Sequence, residues 1–186
     1  MDARDRSRGD EPDRTTARRS TRVNRGSRPR FVSPEPLFYR CCRCGSLVIH
    51  ARQSVGLFAP CCCGAAMSPL VAGDDNALLA AEHRPHLVVT GGFDANQIQV
   101  KVGEPPHPMN ATHAVEWIYL HTFQGGQIKF INGLTTPTAT FALADEDAYV
   151  FCDRPVCLGR RCKFNCKKGF TAYAYCNRDG LWRTTL

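Results

Sequence analysis

At 186 residues and a net charge of +7, the chain has room for one ordinary domain or two small ones. No stretch approaches the ~18–20 continuous apolar residues of a membrane span, and no apolar signal core follows Met1, which excludes a helical membrane protein and points to the cytoplasm. Eleven cysteines in a reducing compartment serve more readily as metal ligands than as disulfides, and their odd count argues against full pairing.

Residues 1–36 come first. The first thirty hold ten Arg and five acidic residues, lack aromatic side chains and account for most of the net charge. Such a segment cannot bury enough apolar surface to offset its ordering entropy, so a disordered basic tail is expected. A nucleic-acid-binding arm or a transit peptide are its functional readings; the interspersed acidic residues fit a solvated tail better.

Residues 37–70 open with "LFYRCCRCGSLVIHA" and close with "APCCCGAAMSPL". A module this short needs a staple, and a metal is the expected one. Cys41-x-x-Cys44-Gly45 forms a knuckle in which Gly lets the backbone turn around an ion, and the run Cys61-Cys62-Cys63-Gly64 supplies the other two ligands. Four thiolates suit zinc or a single iron, and ligand type alone does not choose between them.

"VAGDDNALLAAEHRP" reads as a connection with one short apolar turn. Within residues 71–186 the pattern then becomes β: "HLVVT", "QIQVKV", "AVEWIYL", "QIKFI", "TATFAL", "AYVF" and "FTAYAY" are short runs rich in β-branched and aromatic residues, separated by turn signals. About seven such strands without a long amphipathic helix indicate a β-sandwich.

Two histidines six residues apart, His107 and His113, are a weak signal by themselves. Their surroundings, "VKVGEPPHPMNATHAVEWIYL", resemble the ferrous-iron segment of the superoxide reductases, the family that includes desulfoferrodoxin. Upstream, "EHRPHLVV" is similar to the segment carrying a further ligand, here His83. Downstream, "YCNRDGLW" resembles the segment carrying the thiolate, here Cys176. The cysteine module resembles the desulforedoxin-type domain of desulfoferrodoxins, which implies a four-cysteine iron, with zinc as the other candidate, at Cys41, Cys44, Cys62 and Cys63; Cys42 and Cys61 are then extra thiols.

The resemblance implies a desulforedoxin-like module followed by an immunoglobulin-like β-sandwich. It also implies a non-haem iron held by a plane of imidazoles and one axial cysteine. In that family the open sixth position takes superoxide, which is reduced by one electron to hydrogen peroxide, a detoxification reaction in oxidative stress. A rubredoxin-like or other small electron donor restores the iron, and two-domain members are commonly homodimers. Trp182 is expected in the core below the strand end.

Three features depart from the family pattern. Asp179 stands where the fourth imidazole would be. Ala81 and Glu82 replace a Glu-Lys pair, so a negative charge lies on the anion's approach. The segment 152–169 is inserted, with Cys152, Cys157, Cys162 and Cys166 at spacings C-x4-C-x4-C-x3-C. Those four cysteines could hold zinc or a further iron, form two disulfides or act as a reactive loop; metal or redox-active thiols are favoured over inert ones. Arg154, Arg160, Arg161, Lys163, Lys167 and Lys168 of the same loop would restore electrostatic steering.

The leading reading is therefore an iron-dependent superoxide reductase-like oxidoreductase. The alternative is a non-catalytic iron- or zinc-binding descendant acting in electron transfer, sensing or structure. A zinc-stapled nucleic-acid-binding module explains the tail but not His83, His107, His113 and Cys176 together, and ranks last.

Overall fold

The computed structural model describes residues 23–25, 32–51, 58–73, 79–90, 96–148, 150–152 and 169–186. Most of the expected tail lies outside the described residues, as do Cys157, Cys162, Cys166 and the six basic residues of the insertion. Cys152 is described only as part of a strand. Among the described residues no helix is long and apolar enough to cross a membrane.

The fold is mainly β. In chain order the elements are β1 (Val23–Arg25), β2 (Pro36–Arg40), β3 (Leu47–Ala51), β4 (Cys61–Cys62), β5 (Ala65–Ala66), β6 (Ser68–Pro69) and the single helical turn α1 (Ala80–His83). There follow β7 (Pro85–Thr90), β8 (Gln97–Val102), β9 (Val115–His121), β10 (Gly126–Phe130), β11 (Thr138–Ala142), a second turn α2 (Asp145–Ala148), β12 (Val150–Cys152), β13 (Thr171–Cys176) and β14 (Gly180–Thr185).

Seven of these strands make the sandwich, one sheet in the order β10-β9-β13-β14 and the other β11-β8-β7. Strand β8 shows why. Its alternation sends Ile98, Val100 and Val102 inward, each essentially without solvent exposure, and leaves Lys101 outside. They meet Ile118 and Leu120 of β9, Phe141 of β11 and Ala172 and Ala174 of β13 in one core. Each Val, Ile, Leu or Phe side chain so buried contributes roughly 1.5–3 kcal/mol.

Strands β9 and β13 do not alternate in polarity, because both of their faces are covered. Trp117, Tyr119, Tyr173 and Tyr175 point away from the sandwich core into a second apolar cluster with Phe38 of β2. The Phe38 ring lies 5.3 Å from that of Trp117, 5.3 Å from Tyr119 and 5.0 Å from Tyr173. The cysteine module, a β3-β2-β6 sheet with the β4-β5 hairpin, is thus laid on the outer face of the larger sheet.

Residues 32–36, assigned to the tail by composition, are held here too. Ser33 donates to the Thr122 carbonyl at 2.9 Å and accepts from His121 Nε2 at 2.8 Å. Glu35 accepts from the Tyr173 hydroxyl at 2.5 Å and from Arg183 at 2.7 Å. Earlier still, β1 pairs in parallel with β12. The run "AYVF" therefore differs from expectation: Val150–Cys152 lies outside the sandwich sheets, and β14, whose Gly and Arg weaken its strand signal, takes the seventh place.

Candidate metal centres

The first centre is local. Gly45, at φ 74°, turns the knuckle, and the Gly45 N–H bonds the Cys41 carbonyl at 2.9 Å. Cys63 and Gly64, at φ 52° and 75°, form the two-residue loop of the β4-β5 hairpin, a turn that needs positive φ at both positions. This is why the second half reads Cys-Cys-Gly. The two turns bring the sulfurs of Cys41, Cys44, Cys62 and Cys63 within 4.8 Å of one another. The Cys44 and Cys62 sulfurs are 3.5 Å apart and those of Cys62 and Cys63 3.8 Å, close to the edge of about 3.8 Å that four sulfurs at zinc or iron distance describe. The Ser46 hydroxyl, 3.0 Å from Cys44 Sγ, helps bring the Cys44 thiol down to about 6, while the neighbouring thiols push Cys63 up to about 12. Four thiolates this close repel, and a cation is what lets all of them ionise together. Cys42 and Cys61 are exposed and do not join the group.

The second centre is assembled from four distant segments. His83 ends α1. Gly103, at φ 81°, lets the following loop press on that turn; a Cβ there would stand 2.3 Å from the Glu82 carbonyl. Bonds from Gly103 to Arg84 and from Glu104 to Ala81 hold the contact and deliver His107. The Asn110 side-chain carbonyl accepts from the N–H of His113 at 2.8 Å and of Thr112 at 3.1 Å, shaping the loop that presents His113. Asn177 then ties Ala114 to the end of β13, where Cys176 sits.

The ring nitrogens of His83, His107 and His113 and the sulfur of Cys176 lie within 4.8 Å of one another. The His83 and His107 tautomers are set by their surroundings. His83 Nδ1 faces the Leu79 carbonyl at 2.8 Å and His107 Nδ1 the Pro108 carbonyl at 2.6 Å, so each Nδ1 carries a proton, and in the neutral ring it is Nε2 that has the lone pair to turn inward. Burial pushes the His107 pKa below its ordinary value, against the Pro108 carbonyl, and keeps that ring neutral. Burial raises the Cys176 thiol, opposed by the N–H groups of Arg178 and Asp179, both 3.4 Å from the sulfur.

Asp179 stands beside this group, against His83, His113 and Cys176. Its Oδ2 is 3.1 Å from His83 Nε2, 2.9 Å from His113 Nε2 and 3.7 Å from Cys176 Sγ. Burial works to raise its carboxyl pKa, but the charge that His83 and His113 carry when protonated, the His83 hydrogen bond and Arg178 outweigh that and lower it. His107 Nε2 and His113 Nε2 are both buried without a hydrogen-bond partner, the close approach of Asp179 to His113 notwithstanding. With neutral rings the converging lone pairs would face a carboxylate, an arrangement that a metal ion among them relieves, and on this ground the donor set fits a metal ion. Two donors bound at right angles to one ion stand about 3 Å apart, which is the spacing Asp179 keeps to both imidazoles. The ring of His107 is 4.7 Å from His83 and 4.5 Å from His113, while those two are 5.7 Å apart. His107 thus sits between His83 and His113, and the Asp179 carboxylate approaches the other two rings.

The desulfoferrodoxin family model matches residues 77–185. The chain belongs to the desulfoferrodoxin family. It is 30% identical over 144 residues to a desulfoferrodoxin homolog of Methanothermobacter thermautotrophicus, covering 77% of this chain and 94% of that one. To the desulfoferrodoxin of Nitratidesulfovibrio vulgaris it is 29% identical over 145 residues, 78% of this chain and 92% of the relative. The superoxide reductase from Treponema pallidum shares the fold, with a TM-score of 0.58 and 23% identity across 81% of this chain and 97% of that one.

Trp182 is buried in the core, as expected, and there its ring stacks on His83, centroids 5.1 Å apart and planes at 24°. The carbonyls of Leu79 and Pro108, which set two tautomers, were not legible in advance, since backbone acceptors carry no residue signature.

Proposed function

We propose that the chain reduces superoxide to hydrogen peroxide at an iron held by His83, His107, His113, Asp179 and Cys176. The observation that carries this is the inward convergence of three imidazole nitrogens and one sulfur, with two tautomers held by carbonyls. Ferrous iron, when bound there, would supply the one electron that, with two protons from solvent, turns superoxide into hydrogen peroxide, and a small rubredoxin-like donor would replace the electron.

The chain's own residues set the terms. Two backbone N–H groups on Cys176 Sγ favour the thiolate. Asp179 and Cys176 together cancel the charge of a divalent ion, whereas four neutral imidazoles and a thiolate would leave it positive. The anion is therefore attracted less than at an all-imidazole plane. Asp179 also favours the ferric state. These effects make superoxide reduction slow in this chain. The small module would hold iron or zinc through Cys41, Cys44, Cys62 and Cys63.

A second reading, a metal-binding but non-catalytic descendant, draws on the same Asp179. Pulse radiolysis of the reduced, iron-loaded chain separates the two. We expect superoxide to be consumed with hydrogen peroxide and no dioxygen formed, and about tenfold faster in Asp179→His, which also holds iron more tightly. Iron binding without superoxide consumption in either form would leave the non-catalytic reading.

A further inference from the structure

Segment 70–73, which leaves the cysteine module, does not simply trail away. Leu70 N–H donates to the Phe38 carbonyl at 2.8 Å, still within that module. Ala72 then forms a parallel bridge to Leu181 of β14, and the Gly73 N–H donates to the Leu181 carbonyl at 2.7 Å. This places the Gly73 backbone directly on the indole of Trp182. A Cβ at position 73 would stand 2.9 Å from Cη2 and Cζ3 and 3.0 Å from Cε3. Those atoms belong to a ring only 5% exposed, so they have nowhere to swing. The Gly73 backbone lies outside the left-handed region; the indole, and not the dihedral angle, excludes a side chain.

The indole in turn touches two of the clustered groups by two kinds of contact. Its face stacks on the His83 ring, and its Nε1–H donates to the Asp179 carbonyl at 3.1 Å. His83 is pinned at Nδ1 by Leu79, which leaves rotation of the ring plane as its remaining freedom, and the stack removes it. The Asp179 carbonyl belongs to the turn that aims both the Asp179 carboxylate and the N–H groups on Cys176 Sγ. One side chain thus orients two groups 96 residues apart in the chain.

We propose that Trp182 is a positioning residue of the His/Cys centre and that Gly73 is the strap that sets it. Through this strap the end of the cysteine module bears on the geometry of the other centre. The proposal rests on the reading of His83, His107, His113, Cys176 and Asp179 as a metal site.

The test uses the full chain loaded with cobalt(II), whose thiolate charge-transfer and ligand-field bands report each centre, in Gly73→Ala, Trp182→Leu and Trp182→Phe. Gly73→Ala and Trp182→Leu are expected to weaken cobalt at the His/Cys centre by about 10–100-fold in chelator competition and to shift its bands, with the four-cysteine centre unchanged. Trp182→Phe, which keeps a stacking ring but loses the donor, falls between them and the parent. Unchanged affinity and bands in Gly73→Ala or Trp182→Leu overturn the proposal. So does loss of both centres together with a collapsed unfolding midpoint, which marks a purely structural role. A parent chain that takes no cobalt at the His/Cys centre overturns instead the reading of the site itself.

Discussion

The two centres of this molecule are built on opposite plans. The four-cysteine group draws its donors from two Gly-terminated turns within residues 41–63, in a module with a thin core and three of its four sulfur residues near solvent. The His/Cys group brings together residues 83, 107, 113 and 176, with Asp179 beside them, at one end of a sandwich whose strands are closely packed. Where donors are local, a bound ion must supply the stability that packing cannot. Where they are distant, packing must come first, because closing loops of such length without a framework costs more entropy than one ion site offsets.

The largest effect follows for the small module. A metal bound there would supply folding free energy, on the order of 10 kcal/mol for structural zinc sites, so Cys44→Ser should abolish both metal binding and the β4-β5 hairpin. Metal analysis with amide hydrogen exchange reads both. The sandwich should persist, at a lower melting temperature, because Trp117, Tyr119 and Tyr173 lose their cover. Full metal retention in Cys44→Ser would show that the four sulfurs do not share an ion. An unchanged melting temperature would show that the two units are independent after all.

Phe38→Ala probes the joint between the plans directly. The residue is 2% exposed among three aromatic rings, and its truncation should cost about 3–5 kcal/mol. Urea unfolding should become biphasic, the module melting before the sandwich. A loss below about 1 kcal/mol would mean that the outer-face cluster contributes little beyond surface packing.

The smallest effect is one of pH, on the metal-free protein. Burial lowers the pKa of His107 below its ordinary 6.5, so in the window below that value the unfolded chain binds the proton that the folded chain refuses. Stability should therefore fall as pH drops from about 6.5 through the lowered folded value. His107→Gln should flatten this slope in urea midpoints measured at pH 7.5 and 5.5. If the slope survives the substitution, another group carries it.

Much of this was readable from residue order. Strand β8 matches its run residue for residue, because one face is buried and the other wet, and period-two alternation states that fact locally. The cysteine turns are equally local: a Gly after Cys44 and after Cys63 announces the positive φ that curls sulfurs around a point. Strands β9 and β13 were also visible as apolar runs, but nothing in them told that their outer aromatic residues are covered by Phe38. Strand β14 was passed over because "GLWRTT" has little alternation and becomes a strand only by pairing along the whole of β13.

For the centre itself, the donor types and their order along the chain were determined by sequence alone, since residue chemistry at given spacings is a local property. Tertiary structure alone decided that the Asp179 carboxylate reaches both His83 and His113, that the Leu79 and Pro108 carbonyls set two tautomers, and that Trp182 lies on His83 with Gly73 behind it. Each of those facts depends on where a backbone passes through space. A backbone's path reflects the packing of the whole chain, and no short stretch of residues encodes it.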